Sequence, residues 1–335
     1  MGDNTHGYIG SEPTQLQYTN QGVLGVNDLY NLKNRTPAET KGDFIQLDMV
    51  ACAGGGGGGG GSFQHGSGST HGGGGGAGEY KSIENDNTHF KLATTYAITI
   101  GAGGAKGDGA ASNNANGAQG GAGGNTTVAN ETGTLLTLLG GGGGGGTNGA
   151  AHGLVGTTGG SGGGSAAGIS SSASGAASTA SLGVGHAGGQ GNTGNGAKGG
   201  NGGGASAVGL PGGTSNNLPF GYFSLESLGG AGNPPGRNGF FHDWVKIETA
   251  GRGSTIARGG GCSSTVNNAI ANTGHGGMGK YESGLGMVGA SGLVAFRYPK
   301  ELAITASSAT VATATVGDFK ITEVTASSGG TVRWD

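Results

Sequence analysis

Stretches of this chain that alternate or cluster apolar residues are short and few, and most run straight into glycine. FIQLDMVACA (residues 44–53) alternates and predicts a strand that ends at an octaglycine, residues 54–61. Residues 96–100 in HFKLATTYAITIGAGG predict a second strand, and residues 135–139 in TGTLLTLLGGGGGGG a third apolar stretch. GASGLVAFRYP predicts a strand at 293–298 that closes the glycine-rich region. Beyond Pro299 the pattern changes. ELAITASSATVATATVGDFKITEVTASSGGTVRWD is β-branched and predicts a small meander with turns at Gly317-Asp318 and Gly329-Gly330. Before residue 42, QGVLGVNDLYNLKNRTPAET offers Asn27 and Asp28 as caps of a short apolar stretch that Pro37 ends. That amino-terminal part reads as an attachment or docking segment.

Composition sharpens this picture. The 335 residues include 87 Gly and only 7 Pro, with 10% charged and 6% aromatic, against roughly 7% Gly in an ordinary chain. A core of large apolar side chains must therefore be small. The net charge is −3 with Lys and Arg scattered singly, which excludes a nucleic-acid footprint. Cys52 and Cys262 each border a glycine block; two small buried thiols are expected rather than a bridge. MGDNTHGYIG has neither a basic stretch nor an apolar run, so no signal peptide is expected. No apolar run approaches the roughly 18 residues that cross a bilayer, and the chain is expected to be soluble.

Glycine and serine tracts are commonly flexible coil, but disordered segments are usually rich in charge and proline, and this one is poor in both. If ordered, each glycine costs about 0.5–1 kcal/mol more to fix than alanine, so the main chain itself must supply the compensation. Without a Cβ, extended three-per-turn helices can lie side by side and hydrogen-bond laterally. Glycine every third residue is then expected where one edge is packed, and unbroken glycine where a segment is surrounded. Both occur: Gly117, Gly120 and Gly123; Gly185, Gly188, Gly191 and Gly194; Gly196, Gly199 and Gly202; and the unbroken runs 54–61 and 140–146. Scarce proline and a slipping phase argue against collagen. The fold class expected is mainly β and irregular, a packed polyglycine II helix bundle or sandwich with short flanking strands and the carboxy-terminal meander.

Motifs of catalysis carry little weight in so much glycine. GxGxxG recurs by composition and lacks the strand, turn, helix and acid of a nucleotide site. GGSGG at 159–163 satisfies GxSxG around Ser161 but sits in low-complexity sequence, not at a strand-to-helix elbow. His65, His71, His152, His186 and His275 lack the paired spacing of a metal site and read as edge residues bonding loop carbonyls. GDG at 107–109 does not recur as a calcium repeat. Glu226, Asp243 and Glu248 are the only acids near the aromatic cluster, which leaves glycoside cleavage without support. No enzyme activity, cofactor or metal is expected. The densest chemistry is aromatic: Phe220, Tyr222, Phe223, Phe240, Phe241, His242 and Trp244, with Arg237, in loop-like sequence. Such residues suit a receptor site; the alternative is that the same rings form the only conventional mini-core or a subunit contact. Residues 62–71 and 81–89 read as polar loops and rival contacts.

FIQLDMVACAGGGGGGGG, TTYAITIGAGGAKGDG, GGQGNTGNGAKGGNGGG and GASGLVAFRYP together resemble the glycine-rich domain of bacteriophage tail fibre and tail-tip proteins of marine phage type, over about residues 42–299. A more distant likeness is to T-even-type long tail fibre adhesins, whose family architecture is a polyglycine II bundle with receptor-binding loops at its exposed end. The β tail after the RYP segment departs from that pattern. With the pattern on either side of that span, three parts are expected: an attachment segment (1–41), a glycine-rich polyglycine II domain (42–299) and a carboxy-terminal β module (300–335). It implies a virion tail adhesin, assembled in the host cytoplasm, that binds a bacterial surface polysaccharide or outer-membrane protein. Residues 1–41 or the β module would join other tail proteins, as a homotrimer or as a single copy capping a trimer. A purely architectural virion component is the alternative, and an ice-binding or matrix protein is disfavoured because Thr and Ala show no regular ranks.

Overall fold

The computed structural model describes residues 44–64, 68–205, 208–212, 271–279 and 284–335, and no helix occurs among them. Twelve strands follow one another: β1 (Leu47–Cys52), β2 (Ser62–Gln64), β3 (Gly68–Thr70), β4 (Tyr80–Asp86), β5 (Thr95–Thr99), β6 (Thr126–Asn130), β7 (Gly133–Leu138), β8 (Thr147–Asn148), β9 (His152–Gly153), β10 (Leu293–Pro299), β11 (Ile304–Val316) and β12 (Phe319–Trp334). The strands expected at 44–53, 96–100, 135–139 and 293–298 are β1, β5, β7 and β10. One antiparallel sheet runs β4-β1-β10-β12-β5-β6-β7, with β11 on the other side of β12.

The carboxy-terminal residues are not a meander. Gly317, at φ +63°, makes the expected hairpin turn, but the second expected turn, at Gly329-Gly330, lies inside β12 as a bulge. The register slips there between Ser328 and Gly330, and in β11 between Ser307 and Ala309. Gly329 and Ser308 take up the distortion at φ +84° and +54°. Ser327 Oγ donates to Ile98 O at 2.5 Å and accepts from Gly330 N at 2.8 Å, which fixes the corner. Laid straight, the 16 residues of β12 would span about 50 Å. Its ends pair with Pro299 and Ile304, residues that the intervening chain can separate by at most about 18 Å. The ribbon is therefore folded back at its bulges. Its two halves descend beside β10 and climb beside β5, so one long strand unites two arms of the sheet.

The apolar core fills the space inside this bend. Trp334, fully buried, is met edge-on by Phe90, Tyr96, Phe296 and Tyr298, with ring centroids 5.0–6.0 Å apart. Met49, Ile98, Val128, Leu138, Val324 and Val332 complete it. A conventional core thus exists among the described residues without the aromatics of 220–244. Tyr298 Oη reaches Thr322 Oγ1 at 2.8 Å, and burial pushes that phenol up.

Below the core, side chains give way to glycine. The tract 54–61 continues β1, and its bonding partners repeat every three residues. The N–H groups of Gly54, Gly57 and Gly60 donate to Gly124, Gly121 and Ala118; those of Gly55 and Gly58 to Ala290 and Met287; those of Gly56 and Gly59 to Gly76 and Gly73. Its carbonyls accept from three further segments: Gly141 and Gly144, Gly104 and Gly107, and Gly277. The tract therefore has six neighbours. Five of them are the continuations of β4, β5, β6, β7 and β10, and the sixth is segment 271–279. Wherever the tract faces a neighbour, a Cβ would strike a main-chain carbonyl: Ala102 from Gly54, Ala105 from Gly57, Met278 from Gly58, Gly145 from Gly59. That is the physical reason for an uninterrupted run. At the edge, every third residue is pinned against the tract. Gly101, Gly104 and Gly107 are buried while Ala102, Ala105 and Lys106 are exposed, and Gly117, Gly120 and Gly123 sit against the carbonyls of Gly60, Gly57 and Gly54.

Glu79 marks the transition from glycine to strand. Its carboxylate is buried; Oε1 accepts the consecutive N–H groups of Ser181, Leu182 and Gly183 at 3.0, 2.7 and 2.5 Å, and Oε2 accepts Leu139 N at 2.9 Å. Glu79 N donates in turn to Leu139 O at 2.9 Å. The start of β4 is thereby tied to the end of β7, and the sheet nearly closes.

Candidate functional site: a ring of polar loops

Because β1, β4, β5, β6, β7 and β10 continue into tracts, the chain reverses direction away from the apolar core in five described loops. These are the β2–β3 hairpin and its flank, residues 111–116, the β8–β9 turn, residues 167–173 and residues 192–198. They hold one another. Asn114 N donates to Phe63 O at 3.0 Å and Ser62 Oγ to Ala115 O at 2.7 Å, joining the first two. Gly149 N donates to Asn116 Oδ1 at 2.8 Å, joining the third. Ile169 N donates to Ala150 O at 2.9 Å, and His152 Nδ1 lies 2.8 Å from Ser171 Oγ. Gly194 N donates to Gly168 O at 3.2 Å, and Gly196 N to Ser69 O at 3.0 Å, which closes the ring.

The residues that make these turns are amides and glycines because the backbone demands it: Asn114, Gly149, Gly194 and Gly196 all have positive φ. Their by-product is a surface of exposed Asn, Ser, Thr and His side chains in which Lys198 is the one charge among the described residues of these loops. Such a surface offers directional hydrogen bonds and almost no field. It fits a neutral, hydroxyl-rich ligand better than a polyanion or an acidic peptide.

The ionic chemistry lies at the opposite end, within the sheet. Arg297 stands across from Asp48 in the β1–β10 register, with Nε 2.6 Å from Asp48 Oδ2, and Asp48 Oδ1 also accepts Asn85 N at 2.7 Å. One turn away, Asp86 is buried, which alone would raise its carboxyl. Bonds from His89 at 3.0 Å and from Thr88 N and Oγ1 at 3.0 and 2.9 Å outweigh this and hold it below the usual carboxylate range. These pairs fasten strands and a turn.

The aromatic candidates Phe220, Tyr222, Phe223, Arg237, Phe240, Phe241, His242 and Trp244 lie outside the described residues, as do the acids Glu226, Asp243 and Glu248, the attachment segment 1–41, His65 and Cys262. Cys52 is buried. Two of the expected polar loops are corrected. Residues 81–86 are part of β4, paired with β1, because Ile83 packs against the main apolar cluster on one face and Tyr80 against a smaller cluster with Val50 and Cys52 on the other. Residues 62–64 and 68–70 form the β2–β3 hairpin. Ser161 is buried within the glycine tracts, its Oγ accepting His186 N at 3.3 Å. His71 and His275 are buried rather than edge residues, and His152 meets a hydroxyl, not a carbonyl. Among the described residues no group of three or more His, Cys, Asp and Glu is placed to hold a metal ion. The ring of loops was missed because its residues are scattered over more than a hundred positions; the recurring Asn-rich reversals between glycine tracts were its one trace in the sequence.

Comparison with curated proteins returns no match to the chain. The family profile described as a glycine-rich domain matches residues 39–299, the span that contains β1 through β10, the glycine tracts and the ring of loops. That match covers well over half of the chain, which belongs to the glycine-rich domain family.

Proposed function

We propose that the glycine tracts are a packed polyglycine II helix bundle and that the protein is a phage virion tail fibre or tail-tip adhesin, which uses this bundle as a rigid platform for loops that bind a bacterial surface. The observation that carries the reading is the octaglycine bonded to six neighbours with a three-residue repeat of partners. That is the lateral pattern three-per-turn helices require, and it fixes loop positions at their ends. Loops that are already ordered lose little entropy on binding. A charge-poor ring of amides and hydroxyls suits surface polysaccharide. The aromatics of 220–244 and an outer-membrane protein remain the complementary pair in this proposal. The protein acts by binding, not catalysis, and joins other virion proteins through residues 1–41 or the carboxy-terminal strands.

An architectural role is the second reading. It is favoured by Leu154, Val155, Leu182 and Val184, exposed along the flank of the tracts where a neighbouring protein would cover them. Labelled full-length protein offered to a panel of bacteria decides between them. An adhesin binds some strains and competes with a phage for adsorption, and Ser112→Ala with Asn148→Ala, both exposed on the ring of loops, or Phe240→Ala with Trp244→Ala, weakens binding without lowering the melting temperature. Failure to bind any strain or to block any adsorption overturns the adhesin reading.

A further inference from the structure

The outer edge of β11 is distorted in its first half, at Ser308 and again after Thr310, and unguarded in its second. Among the described residues it hydrogen-bonds β12 alone, and no other backbone bond is made by residues 304–316. The alternate N–H and C=O groups that point away from β12 are thus open to pairing, in regular register over residues 311–316. Edge strands ordinarily carry charge, proline or distortion that discourages this. β4, at the end of the sheet path, has them: Lys81, Glu84 and Asp86, with Asn85 at φ +54° and a register slip opposite Leu47 and Met49. ITASSATVATATV has no charge and no proline, and its last six residues, 311–316, run without a slip between the bulge and the hairpin turn.

We propose that β11 pairs antiparallel with β11 of a second copy of this chain, making one continuous sheet across a two-fold axis. The occupant follows from electrostatics and symmetry. A partner strand of opposite charge gains nothing here, whereas a copy of the same neutral strand meets no repulsion. A two-fold axis normal to the sheet keeps each side chain on its own face, so one residue must pair with itself. Centred on Thr313, the straight segment sets Ala312 opposite Ala314 and Val311 opposite Thr315, small and β-branched pairs with no clash of volume.

Sedimentation velocity on the full chain over a concentration series tests this. Wild type is expected to be a dimer at high concentration. Ala312→Lys with Ala314→Lys, neither of them part of the core cluster, should weaken association roughly tenfold or more, because each lysine then stands directly opposite a lysine of the second copy, with an unchanged melting temperature. An equimolar mixture of that variant with Ala312→Glu and Ala314→Glu chains should dimerise again. A wild type that stays monomeric, a trimer, or a lysine variant that associates as before would each overturn the proposal. None of these outcomes bears on whether the chain binds bacteria.

Discussion

The glycine tracts and the bent sheet solve the same problem by opposite means. In the sheet, interior space is filled by large side chains: five aromatic rings and a shell of aliphatics inside a folded ribbon. In the tracts there is no space to fill, because main chains lie where side chains would be. An aliphatic core adapts to a small change of volume by repacking. A contact between a Cα and a carbonyl has no rotamer to change. The two regions should therefore fail differently, the sheet losing stability in proportion to volume removed and the tracts losing it to any volume added.

Gly57→Ala is the sharpest test. One methyl at the centre of the octaglycine meets the Ala105 carbonyl and should cost more than about 4 kcal/mol, a size reserved for gross disruption. Thermal unfolding followed by circular dichroism reads it, and a near-normal melting temperature would deny the six-neighbour arrangement. Trp334→Ala should follow at about 3–5 kcal/mol. If amide exchange in 54–61 stays slow while the strands exchange, the regions unfold as separate units. Glu79→Gln, which removes the charge from a carboxylate accepting four main-chain N–H groups, is expected to cost about 1–3 kcal/mol, with faster exchange concentrated at Ser181, Leu182 and Gly183.

A smaller effect concerns acid. The folded Asp86 carboxyl lies below its ordinary value, so its contribution is fully present above about pH 4 and fades as pH falls through the folded value. Asp86→Asn should lower stability at neutral pH, where that contribution is fully present, and flatten the acid limb of a stability–pH profile. Smallest of all, Ala105→Ser on the exposed edge of a tract should stay within about 0.5 kcal/mol, although its residue number lies among pinned glycines. A large loss there would mean that the edge is not an edge.

How much of this was visible beforehand varies by element. The junctions of strand and glycine were legible because an apolar run ending in glycine leaves few choices for local conformation. The third-residue glycines were legible too, since a tract packed on one side repeats its constraint each turn. The GG of residues 329–330 misled: two adjacent glycines signal a reversal in an isolated hairpin, and only the competing pull of β10 and β5 on one strand turns that reversal into a bulge. The segment 81–86 looked like a polar loop because Lys81, Glu84 and Asp86 mark an edge strand as readily as a turn. The ring of loops was illegible, because nothing local says that 114 and 149, or 168 and 194, come to one end.

By itself, the sequence determined that the backbone would have to be its own packing material, because residues without side chains leave no other source of cohesion. It also determined which tracts could be interior, since unbroken glycine is tolerated only where contact comes from every side. The tertiary structure alone decided which tract sits at the centre, how the carboxy-terminal ribbon bends to unite the sheet, and where the buried carboxylate of Glu79 ties strand to strand. Those depend on partners more than a hundred residues apart, and hydrogen bonds between main chains carry no side-chain label by which a sequence could name them.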